Sequence, residues 1–277
     1  SVTTTCPTGG FTDCSHVTGV TSAECSALTG LFNSTGGPYW NENSGWKAND
    51  APCTWFGVYC VNGHVMALVL PDNSLQGLLP SSIGNLTYLT ELSLGQNLLS
   101  GSIPTTIGNL KNLIYLDLYN NKLSGGIPST MANLKNLEYL YLGFNDLSGA
   151  MPTWVAGFPN LVHLYLNGNL LTGSIPAGIG NLKYLEELIL SDNKLTGAIP
   201  AQLGNLRNLS TLSLWSNDLS GTIPASLGNM TSLEELWLDD NLLTGSIPPQ
   251  LGNLTNLTSL WMSSNQLTGM IPRRLET

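Results

Sequence analysis

The stretch LTELSLGQNLLSGSIP at residues 89–104 decides the fold, because the chain repeats its pattern every 24 residues. In the repeats, leucines spaced three and then two residues apart precede a fixed Asn. The motif Ser/Thr-Gly-x-Ile-Pro follows this Asn, and its proline recurs from Pro80 to Pro272. The fixed Asn recurs without an insertion or deletion at Asn73, Asn97, Asn121, Asn145, Asn169, Asn193, Asn217, Asn241 and Asn265. Such a period indicates a solenoid of about nine coils that pack only on their neighbours.

The leucine pattern predicts one short strand in each coil. Because side chains alternate between the faces of a strand, Leu92 and Leu94 point inward while Glu91, Ser93 and Gly95 point outward. Strands of successive coils then stack in parallel, about 4.8 Å apart. Each fixed Asn lies in the interior, where an unpaired amide costs roughly 1 to 3 kcal/mol. We therefore expect every Asn to bond the backbone of its own and neighbouring coils.

These motifs resemble the plant-type leucine-rich repeat family, whose consensus the chain matches over about residues 65–272. The resemblance implies an α/β leucine-rich-repeat solenoid, mainly short parallel β-strands with 3-10 turns on the convex side, wound as a curved right-handed superhelix. It also implies a noncatalytic recognition module, like a receptor ectodomain or a secreted inhibitor, that binds a protein, peptide or glycan on its concave face.

The first 64 residues do not repeat and are predicted to cap the stack, so we divide the chain into a cap, 1–64, and a solenoid, 65–277. SAECSALTGLF at residues 22–32 predicts an amphipathic helix capped by Ser22, with Ala23, Ala27, Leu28 and Leu31 on its apolar face. CTWFGVYC at residues 53–60 resembles the family's amino-terminal cap, and Trp40 and Trp46 strengthen the match. The resemblance implies a Cys53–Cys60 disulfide.

The remaining cysteines, Cys6, Cys14 and Cys25, supply one further bond and one unpaired thiol. A buried free thiol, a partner lost by truncation and an intermolecular disulfide all remain open for the third cysteine. Metal binding is disfavoured, because no C-x-x-C pair occurs and the chain has only three His.

Composition favours a secreted or cell-surface protein. The net charge of −9 disfavours nucleic-acid and anionic-membrane partners, no apolar run approaches a membrane span, and Ser1 is consistent with removal of a signal peptide. N-x-S/T acceptor sites for N-linked glycans occur at Asn33, Asn85, Asn208, Asn229, Asn253 and Asn256.

The sequence carries no fingerprint of an enzyme or of a cofactor site, so we expect neither catalysis nor a cofactor. Paired acids such as Glu186 with Glu187 are explained as solvated charge on strand edges. Ice binding is disfavoured because it needs a regular array, whereas the positions after each Pro change from Thr105 and Thr106 to Ala177 and Gly178.

The outward strand positions carry the candidate binding site. Aromatic side chains bury large areas at low entropic cost and are enriched at binding centres, although stacked rings could instead simply protect the sheet. The candidate residues are Tyr115, Asp117, Tyr119, Tyr139, Tyr141, Phe144, His163, Tyr165, Glu187, Trp215, Glu235, Trp237, Asp239 and Trp261.

Two functions follow from these observations. The first is extracellular recognition of a protein, peptide or glycan on the concave face. The second is a structural glycoprotein that self-assembles head to tail into a fibre of a cell coat or matrix, because uniform repeats with an uncapped end can stack. The predicted assembly edge comprises Leu257, Leu260, Met262, Asn265, Leu267 and Ile271.

Overall fold

The computed structural model describes residue 11 and residues 13–272. Its one α-helix in this part of the chain, α1, spans Ser22–Ser34. The strands are β1 (Val58–Val61), β2 (His64–Val69), β3 (Gln76–Leu78), β4 (Glu91–Ser93), β5 (Leu98–Gly101), β6 (Tyr115–Asp117), β7 (Lys122–Gly126), β8 (Tyr139–Tyr141), β9 (Asp146–Ala150), β10 (His163–Tyr165), β11 (Leu170–Gly173), β12 (Glu187–Ile189), β13 (Lys194–Ala198), β14 (Thr211–Ser213), β15 (Asp218–Thr222), β16 (Glu235–Trp237), β17 (Leu242–Ser246), β18 (Ser259–Trp261) and β19 (Gln266–Thr268).

Two sheets run along the solenoid, which confirms the predicted fold class. The first sheet, here the concave sheet, has ten strands in the order β1-β2-β4-β6-β8-β10-β12-β14-β16-β18. The second sheet has nine strands, from β19 back through the odd-numbered strands to β3. In the concave sheet β1 pairs with β2 antiparallel. From β2 to β18 the strands are parallel and residues 24 positions apart are partners, as with Leu164 and Leu188, which are fully buried.

Short 3-10 helices complete each coil on the convex side. Those of the solenoid follow the repeated Pro, whose fixed φ suits the extended residue before a helical turn. The 3-10 helices span Gly37–Tyr39, Pro52–Thr54, Ser81–Asn85, Thr105–Asn109, Ser129–Asn133, Thr153–Gly157, Ala177–Asn181, Ala201–Asn205, Ala225–Asn229 and Pro249–Asn253.

The fixed Asn residues form a directional hydrogen-bonded ladder. The Oδ1 of Asn145 accepts from the N–H of Leu123 at 2.9 Å, and its Nδ2 donates to the carbonyl of Leu118 at 3.0 Å, both in the preceding coil. The same Nδ2 lies within 3.1 Å and 3.2 Å of the carbonyls of Leu142 and Gly143 in its own coil. Each amide is therefore satisfied by its own coil and by the coil before it.

Because each Asn bonds the preceding coil, the first and last Asn of the ladder require different hydrogen-bond partners. Asn73 in the first coil has no earlier coil, and it instead accepts from the N–H of Glu42 at 2.6 Å and donates to the Glu42 carbonyl at 2.8 Å. The cap thus supplies the missing backbone. At the other end, Asn265 bonds Leu243 and Leu238 at 3.0 Å and 2.9 Å. Asn265, which was predicted to belong to the assembly edge, therefore needs no following coil for its hydrogen bonds, because each amide bonds the coil before it.

The cap helix is present, but its first turn differs from the prediction. Thr21, not Ser22, is the N-cap, since Glu24 lies three residues after it and completes a capping box. Ala23 is exposed, whereas Ala27, Leu28 and Leu31 are buried as expected. The buried Glu24 also accepts from the N–H of Val65 at 3.0 Å, which ties the helix to β2.

Aromatic rings and two disulfides hold the rest of the cap. Phe32 and Trp40 lie 5.2 Å apart, Trp40 and Trp46 4.9 Å, and Trp46 and Trp55 5.1 Å, between ring centroids. The Cys53–Cys60 disulfide is confirmed, and the second bond joins Cys14 to Cys25. Cys6 lies outside the described residues. The boundary at residue 64 stays a prediction, because β1 and β2 pair across it.

The last described coil leaves its apolar side chains partly open. Leu257, Leu260, Met262 and Leu267 are half-buried and pack on the core from one side, and Ile271 is exposed. These are the residues of the predicted assembly edge. Their exposure is a property of the described coil and identifies no occupant.

We expect Asn145→Ala to lower the free energy of unfolding by about 3 kcal/mol, because it removes a buried amide and its bonds to two coils. The matched control is Asn136→Ala, whose exposed amide makes one bond, to the Lys111 carbonyl at 3.0 Å. This control should lower the free energy of unfolding by less than about 1 kcal/mol. Urea denaturation followed by circular dichroism measures both, and equal losses would contradict the ladder account.

Candidate functional site

The concave sheet holds its candidate side chains in register. The central Leu of each strand points into the core, so the first and third residues point out. Tyr115, Tyr139 and His163 are therefore direct neighbours on β6, β8 and β10. Tyr141 and Tyr165 are neighbours in the same way at the third position. The fold thus brings residues from successive coils onto one surface.

These rings form a connected aromatic network. Tyr115 lies 5.8 Å from Tyr139 and 5.5 Å from Tyr141, and Tyr141 lies 4.9 Å from Tyr165 with the rings nearly perpendicular. His163 packs edge-on against Tyr139 at 5.1 Å. Edge-to-face pairs of this kind contribute about 0.5 to 1.5 kcal/mol each beyond their buried area. The network is pre-ordered by contacts within the protein.

A hollow of about 460 Å³, here the tyrosine hollow, opens beside the network. Predicted residues Tyr115, Asp117, Tyr119, Tyr141 and Tyr165 line it. Four further lining residues, which were not predicted as site residues, are Pro71, Asp72, Gly95 and Gln96. Gly95 leaves room for the Asp117 carboxylate, because a Cβ there would lie 2.5 Å from it.

Hydrogen bonds join the network to an acid two coils on. The hydroxyl of Tyr141 lies 2.7 Å from Nδ1 of His163, and the Tyr165 hydroxyl donates to the Glu187 carboxylate. Nε2 of His163 lies 3.9 Å from the same carboxylate. Burial, followed by nearby negative and phenolic groups, raises the pKa of Tyr141 well above its usual value. Burial and the bond to Glu187 raise the pKa of Tyr165 likewise.

Asp117 contributes a carboxyl group to the lining of the tyrosine hollow. Burial raises the pKa of its carboxyl, while the N–H of Tyr119 at 2.9 Å and the Ser93 hydroxyl oppose that shift by bonding the ionised form. Desolvation is the larger of the two effects, so the fold resists ionisation of this acid. A cationic ligand group would stabilise its charged form.

The residue before each fixed Asn adopts a left-handed backbone, a feature that the sequence analysis missed. Asp72, Asn120, Asp192 and Asp240 tolerate this conformation, but Phe144 at φ 51° is a bulky exception. Its ring packs edge-on to Tyr119 at 5.2 Å and over Gly168, whose missing Cβ leaves the room. A strained aromatic residue beside a hollow is a feature found at binding sites.

A second hollow of about 430 Å³, here the tryptophan hollow, lies farther along the same sheet. It is lined by the predicted Trp215, Trp237, Asp239 and Trp261 and also by Asp240. Glu235 is half-buried on β16 but does not line the hollow. The indole N–H groups of Trp237 and Trp261 both donate to the Ser259 hydroxyl, at 3.1 Å and 2.9 Å.

Two buried polar atoms on this face lack hydrogen-bond partners within the described part of the chain, namely Asn167 Oδ1 and Ser213 Oγ. Ser213 is fully buried and is the strand partner of Trp237, beside the tryptophan hollow. Unpaired buried polar atoms are uncommon in native proteins and mark positions that need an explanation. Sequence alone gave no signal for either.

The acceptor Asn residues lie away from the outward positions of the concave sheet. Asn85, Asn229 and Asn253 end 3-10 helices, and all six acceptor sites are exposed. Glycans there would leave the concave sheet open; their attachment stays a prediction.

Within residue 11 and residues 13–272, no group of three or more His, Cys, Asp or Glu is placed to hold a metal ion. No helix in that part is long and apolar enough to span a membrane.

We expect high pH to destabilise the fold through Tyr141 and Tyr165. Their pKa values are raised in the folded state, so the unfolded chain loses these protons first, and the stability that they contribute is full below about pH 10 and falls above it. We measure the free energy of unfolding by urea denaturation between pH 8 and 11.5. It should fall less steeply with pH in the double variant Tyr141→Phe, Tyr165→Phe than in the wild type. Exposed Tyr184→Phe should keep the wild-type slope, and an unchanged slope in the double variant would contradict the prediction.

Comparison with known proteins places this geometry among leucine-rich repeat ectodomains. A family model described as "Leucine-rich repeat region" matches residues 155–273, and one described as "Leucine rich repeat" matches residues 63–123, 103–147 and 128–171. The ectodomain of the receptor kinase GASSHO1/SCHENGEN3 from Arabidopsis thaliana, solved with CASPARIAN STRIP INTEGRITY FACTOR 2, is 39% identical with a TM-score of 0.85. The alignment covers 91% of this chain and 31% of that one.

Two further structures differ in how much of them the chain spans. The Arabidopsis receptor kinase HAESA, solved with the peptide hormone IDA and the co-receptor SERK1, is 37% identical with a TM-score of 0.83, over 91% of this chain and 43% of that one. A plant ice-binding protein is 30% identical with a TM-score of 0.72, over 91% of this chain and 89% of that one. The chain thus spans less than half of either receptor ectodomain but most of the ice-binding protein. From these matches, the chain belongs to the plant leucine-rich repeat family.

Proposed function

We propose that this chain is a noncatalytic, extracellular recognition module that binds an extended peptide, or a peptide segment of a protein, along the concave sheet. One observation carries the proposal. Aromatic side chains of successive coils lie on the outward face of the concave sheet and line two open hollows there. Peptide affinity on such surfaces comes mainly from a few aromatic anchors. HAESA, with a peptide hormone in its solved complex, adds support by resemblance.

The extracellular setting is supported by the two disulfides, which persist in oxidising compartments, and by the exposed acceptor Asn residues. The proposed site comprises the residues of the two hollows together with Phe144, His163 and Glu187. Glycan recognition stays a less favoured prediction, because the hollows offer more ring surface than hydrogen-bonding groups. The head-to-tail fibre has no support among the three proteins compared above.

Ice binding is a second candidate, and the second sheet provides its specific observation. Two outward positions in each coil of this sheet form rows, 24 residues apart from coil to coil, that contain no charged residue. Strand partners in this sheet lie 22 residues apart, so these rows do not follow the strand pairing, and Thr172 lies directly beside Lys194. One row is Ser100, Ser124, Ser148, Thr172, Thr196, Ser220, Thr244 and Thr268, and the other is Ser102, Gly126, Ala150, Ser174, Ala198, Thr222 and Ser246. The positions after each Pro, which vary from coil to coil, lie outside these two rows.

Peptide recognition ranks first because half of the hydroxyl row is Ser and because charged residues interrupt its surface. The strand partners of Ser100, Ser124, Thr172 and Thr196 are Lys122, Asp146, Lys194 and Asp218. If ice is the ligand, the purified chain should depress the freezing point below the melting point. Thr196→Tyr would then abolish the effect, because a bulky ring breaks the array, and Trp237→Ala would retain it. If the freezing and melting points coincide in the presence of the wild-type chain, ice binding is wrong.

For peptide recognition, we expect selection from a displayed peptide library to yield ligands whose binding depends on the concave sheet. Tyr141→Ala and Trp237→Ala should each weaken binding by about 2 kcal/mol, roughly 30-fold, because each removes an aromatic anchor. The matched control is Tyr184→Ala, an exposed tyrosine (57%) outside the sheet. Isothermal calorimetry measures affinity, and thermal denaturation checks folding. Unchanged affinity in both concave variants would place the site elsewhere.

A further inference from the structure

The tryptophan hollow is built differently from the tyrosine hollow. Trp237 and Trp261 are direct strand partners, and Trp215 lies two residues beyond β14. Among the described aromatic residues, no ring pair joins any two of these three tryptophans, whereas the tyrosines pack on one another. Mutual stacking therefore explains the tyrosine network but not the three tryptophans. Trp261 remains 58% exposed.

The polar edges of two of these rings are already occupied. Because Trp237 and Trp261 both direct their N–H groups to Ser259, they offer the hollow aromatic ring surface instead of hydrogen-bond donors. The shared hydroxyl also fixes the two rings relative to each other. A pre-ordered pair of indole rings loses little conformational entropy when a ligand binds.

The charge of the hollow is negative and uncompensated. Asp239 is half-buried and Asp240 is exposed, and no salt bridge to Lys, Arg or His involves either of them in the described residues. The chain has nine Lys and Arg, and none of those in the described part occupies an outward position on the strands of the concave sheet. Glu235, an outward acid on the same strand as Trp237, does not line the hollow.

We infer that the tryptophan hollow is a pocket for a cationic side chain, the guanidinium of Arg or the ammonium of Lys, carried by the peptide that binds the concave sheet. This inference rests on the proposed function and names the chemistry of its ligand. Indole faces attract cations more strongly than other aromatic rings do, and a neighbouring carboxylate adds charge attraction. The net charge of −9 favours the approach of a basic peptide.

The spacing of the two hollows sets the length of such a peptide. Tyr115 on β6 and Trp237 on β16 are separated by five strand spacings, about 24 Å. An extended chain rises about 3.3 Å per residue, so roughly seven residues bridge the hollows. The cationic residue occupies the tryptophan hollow, and a residue about seven positions away reaches the tyrosine hollow.

The test uses the full chain and two short peptides, acetyl-Ser-Gly-Arg-Gly-Ser-amide and its citrulline counterpart, which has the same shape but no charge. Proton–nitrogen NMR of the seven indole N–H groups reports binding. The Arg peptide should shift the signals of Trp215, Trp237 and Trp261, while those of Trp40 and Trp46 in the cap stay fixed. The citrulline peptide should bind at least about five-fold more weakly.

The matched variants separate charge from shape. Asp239→Asn combined with Asp240→Asn should weaken the Arg peptide about five-fold and leave the citrulline peptide unchanged. Asp218→Asn, an exposed acid on the second sheet, should change neither. Equal binding of the two peptides, or an unaffected double variant, overturns the cation pocket while leaving peptide recognition standing if the concave indoles still shift. If neither peptide shifts them, the cation pocket is also wrong, and library selection judges the proposed function separately.

Discussion

The structure depends on one requirement, that every buried Asn amide be fully hydrogen-bonded. A side-chain amide can reach only about one coil away, so each coil must follow the last with the same length and the same turn. Each Asn bonds the preceding coil, as Asn145 bonds Leu123 and Leu118. The first Asn therefore needs a partner from outside the repeats, whereas the last Asn needs none. Glu42 of the cap provides that partner. The cap is therefore a chemical partner of the first coil as well as a cover for its apolar edge.

The same requirement decides where function can lie. Leucines and Asn are fixed by the core and the ladder, which leaves the outward strand positions and the left-handed residue before each Asn free to vary. Repetition then converts single variable positions into rows of side chains one strand spacing apart. Tyr141, the pair His163 and Tyr165, and Glu187 belong to three successive coils, yet hydrogen bonds join Tyr141 to His163 and Tyr165 to Glu187. A binding surface of this kind needs no insertion in the fold.

The period in the sequence was sufficient to predict the solenoid, its parallel strands and the burial of the leucines. It also located most of the side chains that line the two hollows. It could not predict that Gly95 leaves room for the Asp117 carboxylate, that Gly168 leaves room for the Phe144 ring, or that Ser259 is a shared acceptor, because these depend on contacts between residues that the repeat does not fix. The second sheet shows the same limit: Thr172 pairs with Lys194, 22 residues on, although the sequence repeats every 24. Thr21 was missed as the N-cap because the prediction stopped at the nearest hydroxyl.

Hydroxyl-radical footprinting with and without a selected peptide tests the central claim most directly, that ligands bind on the outward aromatic side chains of the concave sheet. The account predicts slower oxidation of Tyr141, Tyr165, Trp215 and Trp237 in the complex. Tyr39 and Tyr59 in the cap and Tyr184 in the solenoid, all exposed, should oxidise at unchanged rates. Protection of these three residues with unchanged oxidation of the concave aromatic residues would contradict it.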